Sequence, residues 1–343
     1  MVPASTDGIP DPNPPGVVTR LSALAAGAIS LVIALGQVLG LRDGPMGLVA
    51  VFAPHLLLAA VVLAAFAVVR ARWTASLVSL AIVLVVGTVT LGGDWVPGIP
   101  AVRDGPTIRL MSWNLELGSA ALQSLPDVLG STDVDVVALQ ELTPEAAAMI
   151  EADAAITGAF PYRLLFPAPG VVGMGLLSRF RLDELERTAD PPTLAGELDV
   201  AGHAVRVLNA HPLPGRIATV SPLRIPVAFD PSDRDADLRT IRTIADELAA
   251  AGAPLVLLGD LNVAPTEPAF DDVLRGWRDA HAEVGVGPGW TWRPSRLEGL
   301  GIGLLRIDYV LVSAGLEPID IGQDCSRPGD HCIVRAELGF GDR

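Results

Sequence analysis

Three long uncharged stretches near the start of the chain constrain its structure more than any other feature. A helix that crosses the hydrocarbon core of a bilayer needs about 20 apolar residues, so each stretch predicts a membrane span. Three buried helices of a soluble bundle are the alternative, but such helices normally keep a polar stripe. The stretches hold 21 residues between Arg20 and Arg42, 26 between Asp43 and Arg70, and 21 between Arg72 and Asp94.

The arginines around these stretches predict an orientation. Cytoplasmic loops carry an excess of Lys and Arg, and an N-terminus in the cytoplasm places three arginines inside and two outside. Those inside would be Arg20, Arg70 and Arg72, and those outside Arg42 and Arg103. We therefore expect a multi-pass protein of the cell membrane, with the chain after the third span on the extracytoplasmic side.

Composition divides the chain into four predicted parts. Residues 1–19 contain several prolines and no periodicity, which predicts a disordered cytoplasmic tail, and residues 20–94 form the three-helix transmembrane domain. Residues 95–106 are rich in Pro and Gly and are typical of a linker. The remaining residues, 107–343, have the length of one large domain.

Charge is concentrated in that last part. The chain has no lysine, and its net charge is −15. Residues 1–100 hold four Arg and four acids, so 20 Arg face 35 acids in the rest of the chain. Because phosphate neutralisation provides most non-specific affinity for nucleic acid, this balance disfavours nucleic acid as a partner. A small phosphorylated substrate remains compatible, since a bound metal can reverse the local sign of charge.

Short apolar runs rich in β-branched residues alternate with helical patterns after residue 106, which predicts an α/β or α+β domain of two packed sheets with helices outside. The predicted strands are Thr107–Trp113, Asp135–Leu139, Tyr162–Phe166, Gly173–Leu177, Val205–Ala210, Leu255–Leu258, Ile307–Val312 and Ile333–Leu338. The predicted helices are Ala120–Gly130, Pro144–Asp153 and Asp235–Ala251, the last followed by Gly252 as a C-cap.

Polar side chains stand at the borders of six of these strands. Each alone has an ordinary structural explanation, such as a turn, a helix cap or an ion pair. Six together are harder to explain in this way, because strand ends at one edge of a sheet converge in space. The residues are Asn114, Glu141, His211, Asp260 with Asn262, Asp308, and the pair Asp330-His331.

Convergence of these acids predicts a bound cation. Three or four carboxylates brought close together would repel one another and raise each other's pKa unless a positive charge lay among them. Oxygen ligands favour Mg²⁺ or Mn²⁺. The Cys and His spacing of a zinc site is missing from the sequence.

The segments around these residues resemble the endonuclease/exonuclease/phosphatase (DNase I-like) superfamily, in the order typical of that family. The resemblance covers about residues 107–340 and implies a four-layer α/β sandwich catalytic domain. It also implies a metal-dependent hydrolase that cleaves a phosphate ester or anhydride. The segments are SWNLE (112–116), LQE (139–141), NAHPLP (209–214), GDLNVAP (259–265), RIDYVLV (306–312) and GDHCIV (329–334).

The resemblance also implies a role for each residue. Asn114 and Glu141 would bind the metal with support from Asp330, and Glu116 stands where many members have Asp or Asn. Asp260 would orient or deprotonate the attacking water, Asn262 would hold a phosphoryl oxygen, and His331, oriented by Asp308, would contact the scissile phosphate. His211 would lie against the phosphate or the leaving group, and Trp290 and Trp292 would belong either to the pocket wall or to the core.

The substrate is left open between several classes. The chain resembles the membrane-anchored branch of the superfamily found among teicoplanin-resistance proteins of actinomycetes, which implies a lipid-linked, undecaprenyl-type pyrophosphate at the outer membrane face. An extracytoplasmic nuclease, a sphingomyelinase-like phosphodiesterase and a non-catalytic binding or sensor module are the alternatives. Cys325 and Cys332 flank Asp330-His331, so we expect either a disulfide that fixes this loop or two free thiols.

Overall fold

The computed structural model describes residues 15–71, 74–96, 98, 105–118, 121–222 and 225–341. Most of the predicted tail and most of the predicted linker lie outside these residues. The first 14 residues of the predicted tail lie outside the described residues, and so do seven of the twelve residues of the predicted linker, namely 97, 99–100 and 101–104.

Three apolar helices near the N-terminus are long enough to cross a membrane, as predicted. The helices are α1 (Val17–Val38), α3 (Ala53–Arg70) and α4 (Thr74–Trp95), and the apolar part of α4 is Thr74–Gly92. A separate short helix, α2 (Gly44–Val51), precedes α3. Small residues pack the three long helices together, because Ala26, Ala60 and Ala64 form one buried cluster with Val83.

The second apolar stretch is therefore not one continuous helix, and only its α3 part is long and apolar enough to cross a membrane. Pro54 has no amide hydrogen to donate to the carbonyl of Ala50 four residues earlier. That carbonyl instead accepts a hydrogen bond of 2.6 Å from the hydroxyl of Thr266 in the C-terminal domain. The helix breaks at Phe52, and α2 belongs to the same compact unit as the C-terminal domain.

Two mixed six-stranded sheets form that domain. The first, in spatial order, contains β13 (Leu316–Asp324), β14 (Ile333–Phe340), β1 (Thr107–Asn114), β2 (Val136–Gln140), β4 (Met174–Ser178) and β3 (Tyr162–Phe166). The second contains β11 (Arg278–Asp279), β12 (Asp308–Val312), β10 (Leu255–Asp260), β7 (His203–Ala210), β6 (Pro192–Val200) and β5 (Leu182–Ala189). A separate hairpin pairs β8 (Arg216–Val220) with β9 (Ile225–Asp230).

Helices cover the outer face of each sheet and complete four layers, so the predicted α/β sandwich is confirmed. One buried cluster joins the first sheet to α5 (Ala121–Ser131), α6 (Pro144–Ala152) and α7 (Ala154–Ala159). Another joins the second sheet to α8 (Ser232–Ala250) and α9 (Pro268–Leu274). The short helix α10 (Ala280–Val284) and 3-10 turns at Glu116–Gly118 and Ser295–Leu300 complete the elements.

Strand alternation decides which side chains fill the space between the sheets. In β1, Ile108 and Leu110 enter the cluster between the two sheets, whereas Met111 and Trp113 face the helices. Successive strand residues point to opposite faces, so every second residue shares a side. Each of the eight predicted strands is present. Tyr162–Phe166 has the predicted ends and the other seven have shifted ends, whereas β5, β6, β11, β13 and the β8–β9 hairpin were not predicted.

Candidate active site

The alternation in β1 and β10 carries two polar side chains into the gap between the sheets. Asn114 follows Ile108 and Leu110 in phase, and Asp260 follows Val256 and Leu258 in β10. The Nδ2 atom of Asn114 donates to Oδ2 of Asp260 at 3.0 Å. The two sheets therefore meet through these side chains at one edge of the sandwich.

Asp308 and His331 join the same group from the antiparallel neighbours of these strands. Asp308 begins β12 directly opposite Asp260 in the sheet register. Its Oδ2 lies 3.0 Å from Nδ1 of His331, and Nε2 of His331 lies 3.5 Å from Oδ2 of Asp260. All three side chains are buried, so each ring nitrogen of His331 faces a carboxylate that water screens little.

His211 and Glu141 close the other side of the group. Nε2 of His211 lies 3.6 Å from Oδ2 of Asp260 and 3.7 Å from Oε1 of Glu141, while its Nδ1 lies 3.0 Å from the Val171 carbonyl. Asn114 also donates to Oε1 of Glu141, at 3.2 Å. One amide and one imidazole thus bridge the two carboxylates.

These surroundings set the protonation states of the two residues at the end of the group. Burial opposes the charged imidazolium of His331, but Asp308 and Asp260 outweigh it and raise its pKa to about 10. Burial raises the pKa of Asp330 to about 6, against the opposing influence of His331 and with a further contribution from Glu116. At neutral pH, His331 is therefore a cation held among acids.

Asp330 and Glu116 occupy an adjoining position. Trp292 Nε1 donates to Oδ2 of Asp330 at 3.2 Å, whereas Oδ1 of Asp330 is buried and has no hydrogen-bond partner. The carboxylate of Glu116 accepts from the Asp330 amide and from the Ser295 hydroxyl. Eight of the nine predicted site residues are thus linked to one another in a single group. The ninth, Glu116, contacts the loop that carries Asp330.

Three predicted site residues adopt left-handed backbone conformations, which are rare for residues other than glycine. The φ angles are 46° at Glu116, 54° at Glu141 and 51° at Asn262. In the last case the Asn262 amide donates to Oδ1 of Asp260 at 2.9 Å. Such conformations persist where the surroundings fix them and gather at functional sites, and here they turn the chain sharply after β2 and β10.

A buried arginine that sequence reasoning missed holds the loop before β14. The guanidinium of Arg293 donates to the carbonyls of Cys325, Arg327 and Gly329 at 2.8, 2.9 and 3.0 Å. Its side chain is completely buried. A bond between Cys325 and Cys332 closes the same loop, as the disulfide hypothesis predicted. The position of His331 therefore depends on two independent constraints.

A second polar layer beneath the site was also missed. Gln140 Nε2 donates to Oδ1 of Asn209 at 2.7 Å and to the Ser112 hydroxyl at 3.2 Å. All three residues are buried and lie two positions before Leu142, His211 and Asn114, respectively. Counting strand parity from the apolar inward positions would have identified Ser112 and Asn209, because both continue the phase of their strands.

The donor set suits a hard divalent cation. Asp260, Asp308 and His331 offer ligand atoms within 4.8 Å of one another. Glu141, Asn114 and Asp330 add oxygen ligands nearby. Oδ1 of Asp330 is buried, makes no hydrogen bond and lies 4.0 Å from Nε2 of His331. A buried carboxylate oxygen without a hydrogen bond costs free energy unless a cation lies beside it, so the residues present fit a bound metal.

The group opens into a cavity of about 330 Å³ with two chemically different sides. Its polar lining consists of the predicted site residues Glu141, His211, Asp260, Asn262, Asp330 and His331 together with Arg234 and Glu267. The guanidinium carbon of Arg234 lies 5.2 Å from the centroid of the Phe229 ring. Trp292 also lines this cavity, so it belongs to the pocket wall rather than to the core. The opposite side is apolar and includes side chains from α2 and from the β8–β9 hairpin.

Comparison with known proteins connects this geometry to one family. Residues 111–331 match the family described as Endonuclease/Exonuclease/phosphatase. No curated protein sequence matches the chain.

Solved structures share the fold. The chain is 17% identical to humanized D. rerio TDP2, with a TM-score of 0.51, and the match covers 68% of this chain and 99% of that one. It is 16% identical to the Bacteroides thetaiotaomicron mannosyl-6-phosphatase Bt3783, with a TM-score of 0.51 and coverages of 68% and 100%. The chain is also 16% identical to an endonuclease/exonuclease/phosphatase family protein from the same organism. That match has a TM-score of 0.51 and covers 70% of this chain and 100% of the other.

Proposed function

The chain belongs to the Endonuclease/Exonuclease/phosphatase family and is a hydrolase of phosphoester bonds, and from that premise we propose that it cleaves a lipid-linked phosphoester or pyrophosphate at the outer face of the cell membrane. One observation carries the catalytic part of this proposal: Asp260, Glu141 and His331, far apart in sequence, converge around one cavity. The same convergence weighs against a binding or sensor module that has lost catalysis.

We place the cation among the oxygens of Glu141, Asn114 and Asp330. The alternative group, Asp260, Asp308 and His331, includes an imidazole nitrogen, whereas Mg²⁺ and Mn²⁺ prefer sites made of oxygen ligands. A divalent cation, Mg²⁺ or Mn²⁺, would neutralise phosphate charge and lower the pKa of the attacking water.

The remaining residues would transfer protons and bind the phosphoryl group. Asp260 would accept or orient a proton of the water, and its own orientation is fixed by the Asn114 and Asn262 hydrogen bonds. His331, held at Nδ1 by Asp308, would donate from Nε2 to a phosphoryl oxygen as charge develops there. One amide hydrogen of Asn262 goes to the Pro212 carbonyl, and the second would bind the phosphate together with His211.

Chain connectivity supports anchoring with an odd number of crossings. The segment between α1 and α3 packs on the C-terminal domain, since Thr266 bonds Ala50 and Arg42 pairs with Asp272 at 2.9 Å. This segment follows the first candidate span, and the C-terminal domain follows the third, so three crossings put both on one side. The excess of arginine on the other side of the membrane supports an extracytoplasmic position for the C-terminal domain.

An anchored enzyme favours a substrate that shares its membrane. A lipid-linked pyrophosphate would be concentrated at the surface to which the enzyme is held. Water attack on its terminal phosphorus breaks the P–O–P bond and releases inorganic phosphate and the lipid monophosphate. The acidic charge of the domain disfavours the nuclease alternative.

A substrate panel on detergent-purified full-length protein tests the proposal. Undecaprenyl pyrophosphate, sphingomyelin and DNA are each incubated with Mg²⁺, with Mn²⁺ and with EDTA, and Asp260→Ala is the inactive control. We expect metal-dependent phosphate release from the lipid pyrophosphate and a loss of ~10²–10⁴-fold in Asp260→Ala. Turnover of DNA or sphingomyelin alone would replace the substrate assignment, and metal-independent turnover that survives in Asp260→Ala would refute the site.

A further inference from the structure

The apolar side of the cavity comes from two segments that lie outside the sandwich layers. Leu48, Val51 and Phe52 reach it from α2 and its C-terminal end, and Ile217 and Phe229 reach it from the β8–β9 hairpin. We call these five residues the apolar wall. The wall faces the cavity that Asp260 and His331 also line, so one molecule can touch both sides.

Close backbone packing joins α2 to the hairpin. Phe229 is only 7% exposed, and a Cβ atom added at Gly47 would lie 3.1 Å from its ring. An added Cβ at Gly215 would overlap the other side of the same ring. Glycine at both positions therefore lets Phe229 fit between α2 and the start of the hairpin.

The rest of the hairpin exposes apolar side chains. Ile217, Val220 and Ile225 are 53%, 51% and 50% exposed, although an isolated two-stranded hairpin is marginally stable in water. Contiguous exposed apolar residues mark contact with a lipid or a partner. Because α2 lies in sequence between the end of one candidate span and the start of the next, chain connectivity points to lipid.

We propose that the apolar wall binds the hydrocarbon chain that carries the scissile phosphate, and so selects a single-chain lipid phosphate. The inference rests on the proposed function. A cavity of about 330 Å³ is near the lower end of the ~300–1,000 Å³ typical of small-molecule sites. That volume matches a phosphoryl group and the first carbons of one chain more closely than the two chains of a diacyl lipid.

A chain-length series tests this specificity directly. Isopentenyl pyrophosphate has five carbons and farnesyl pyrophosphate fifteen, and both present the same terminal phosphate to the polar side. We expect kcat/KM to be at least ~10-fold higher for the farnesyl substrate, since burial of a few methylene groups is worth about that factor. In Leu48→Ser/Ile217→Ser the ratio of the two kcat/KM values falls about tenfold.

A matched control separates the wall from apolar exposure in general. Leu185 on β5 is 42% exposed and lies outside the cavity, so Leu185→Ser keeps the wild-type ratio. An equal fall for both substrates in the double variant, or a wild-type ratio near one, overturns the proposal. Faster hydrolysis of dioleoyl phosphatidic acid than of farnesyl pyrophosphate overturns the single-chain assignment.

A binding measurement distinguishes this inference from failure of the proposed function. Calorimetry compares farnesyl methylenediphosphonate, which cannot be hydrolysed, with methylenediphosphonate itself. If neither pyrophosphate is hydrolysed with Mg²⁺ or Mn²⁺, the proposed function fails. Tighter binding of the farnesyl compound that is lost in Leu48→Ser/Ile217→Ser still supports the wall, and equal binding of the two compounds refutes it.

Discussion

The loop that carries Asp330 and His331 and the β8–β9 hairpin border the same cavity but are stabilised in opposite ways. The loop is closed by Cys325–Cys332 and held by three hydrogen bonds from buried Arg293. The hairpin exposes apolar side chains, and Phe229 packs it against α2. The contrast separates a loop held by a disulfide and buried hydrogen bonds from a hairpin whose apolar side chains are exposed.

The largest expected effect lies on the fixed side. His331→Ala removes the imidazolium that Asp308 and Asp260 hold, so kcat falls ~10²–10⁴-fold for every phosphorylated substrate. Steady-state kinetics with the chain-length pair measures it. His203 is exposed on β7, and His203→Ala is the control with near wild-type kcat. A loss restricted to the longer substrate would contradict the division between the two regions.

Removing the arginine that organises the loop should weaken the fold itself. Arg293→Met leaves two buried carbonyls and one part-buried carbonyl without their donor. Each unsatisfied buried group costs ~1–3 kcal/mol, so we expect a loss of at least ~2 kcal/mol. Thermal unfolding of the full-length protein in detergent reports it. Arg335 forms a half-exposed pair with Asp324 at 3.7 Å, and Arg335→Met should change stability by less than ~1 kcal/mol.

Opening the disulfide should cost somewhat less. The bond closes a short loop, and the chain-entropy account gives roughly 2–3 kcal/mol for a loop of this length. Cys325→Ser/Cys332→Ser should therefore unfold at a lower temperature and lose activity, because Cys332 adjoins His331. Treatment of the wild type with a reductant should reproduce both changes, and unchanged Tm and kcat would show that the bond does not position the loop.

Alkaline pH should act on the same region. Despite burial, neighbouring carboxylates raise the pKa of His331 to about 10, above the ordinary value near 6.5. The folded state thus holds this proton more tightly than the unfolded chain, so the stabilisation is complete below pH 6.5 and is lost as pH rises toward 10. With EDTA present, Tm should fall more steeply over this range in the wild type than in His331→Asn.

The smallest effect on stability is expected at the hairpin. Ile225→Ser replaces a half-exposed side chain that makes no part of the cavity wall, so the free energy of unfolding in detergent should change by less than ~0.5 kcal/mol. Chemical denaturation measures it. A loss comparable to that of Arg293→Met would show that the hairpin is stabilised internally, and the contrast between the two regions would disappear.

Sequence patterns predicted the sandwich because most of its strands are short apolar runs that stop at polar residues. Asn114 and Asp260 were recognisable for that reason, and strand parity places both on the inner face. The weaker strands escaped because β5 alternates acids with partly exposed residues and contributes little apolar signal. Their pairing with neighbours, rather than local propensity, makes them strands.

The apolar wall and Arg293 could not be predicted in the same way. Gly44–Val51 is as apolar as the helix that follows it. Pro54 alone does not show that the two are separate, and long-range contacts with Phe229 and Thr266 hold α2 on the C-terminal domain. Arg293 binds backbone carbonyls 32 to 36 residues away, and no local pattern encodes such partners. Long-range contacts of this kind lie outside what residue spacing can express.

The break between α2 and α3 at Phe52 has a practical consequence for work with this enzyme. A soluble fragment that begins at Thr107 would keep every polar residue of the candidate site but would lose Leu48, Val51 and Phe52. Phe229 would lose its α2 neighbour at Gly47, leaving the hairpin uncovered on that side. Trimming away the anchor would thus yield a less discriminating catalyst, and assays on such a fragment would report the chemistry without the selectivity.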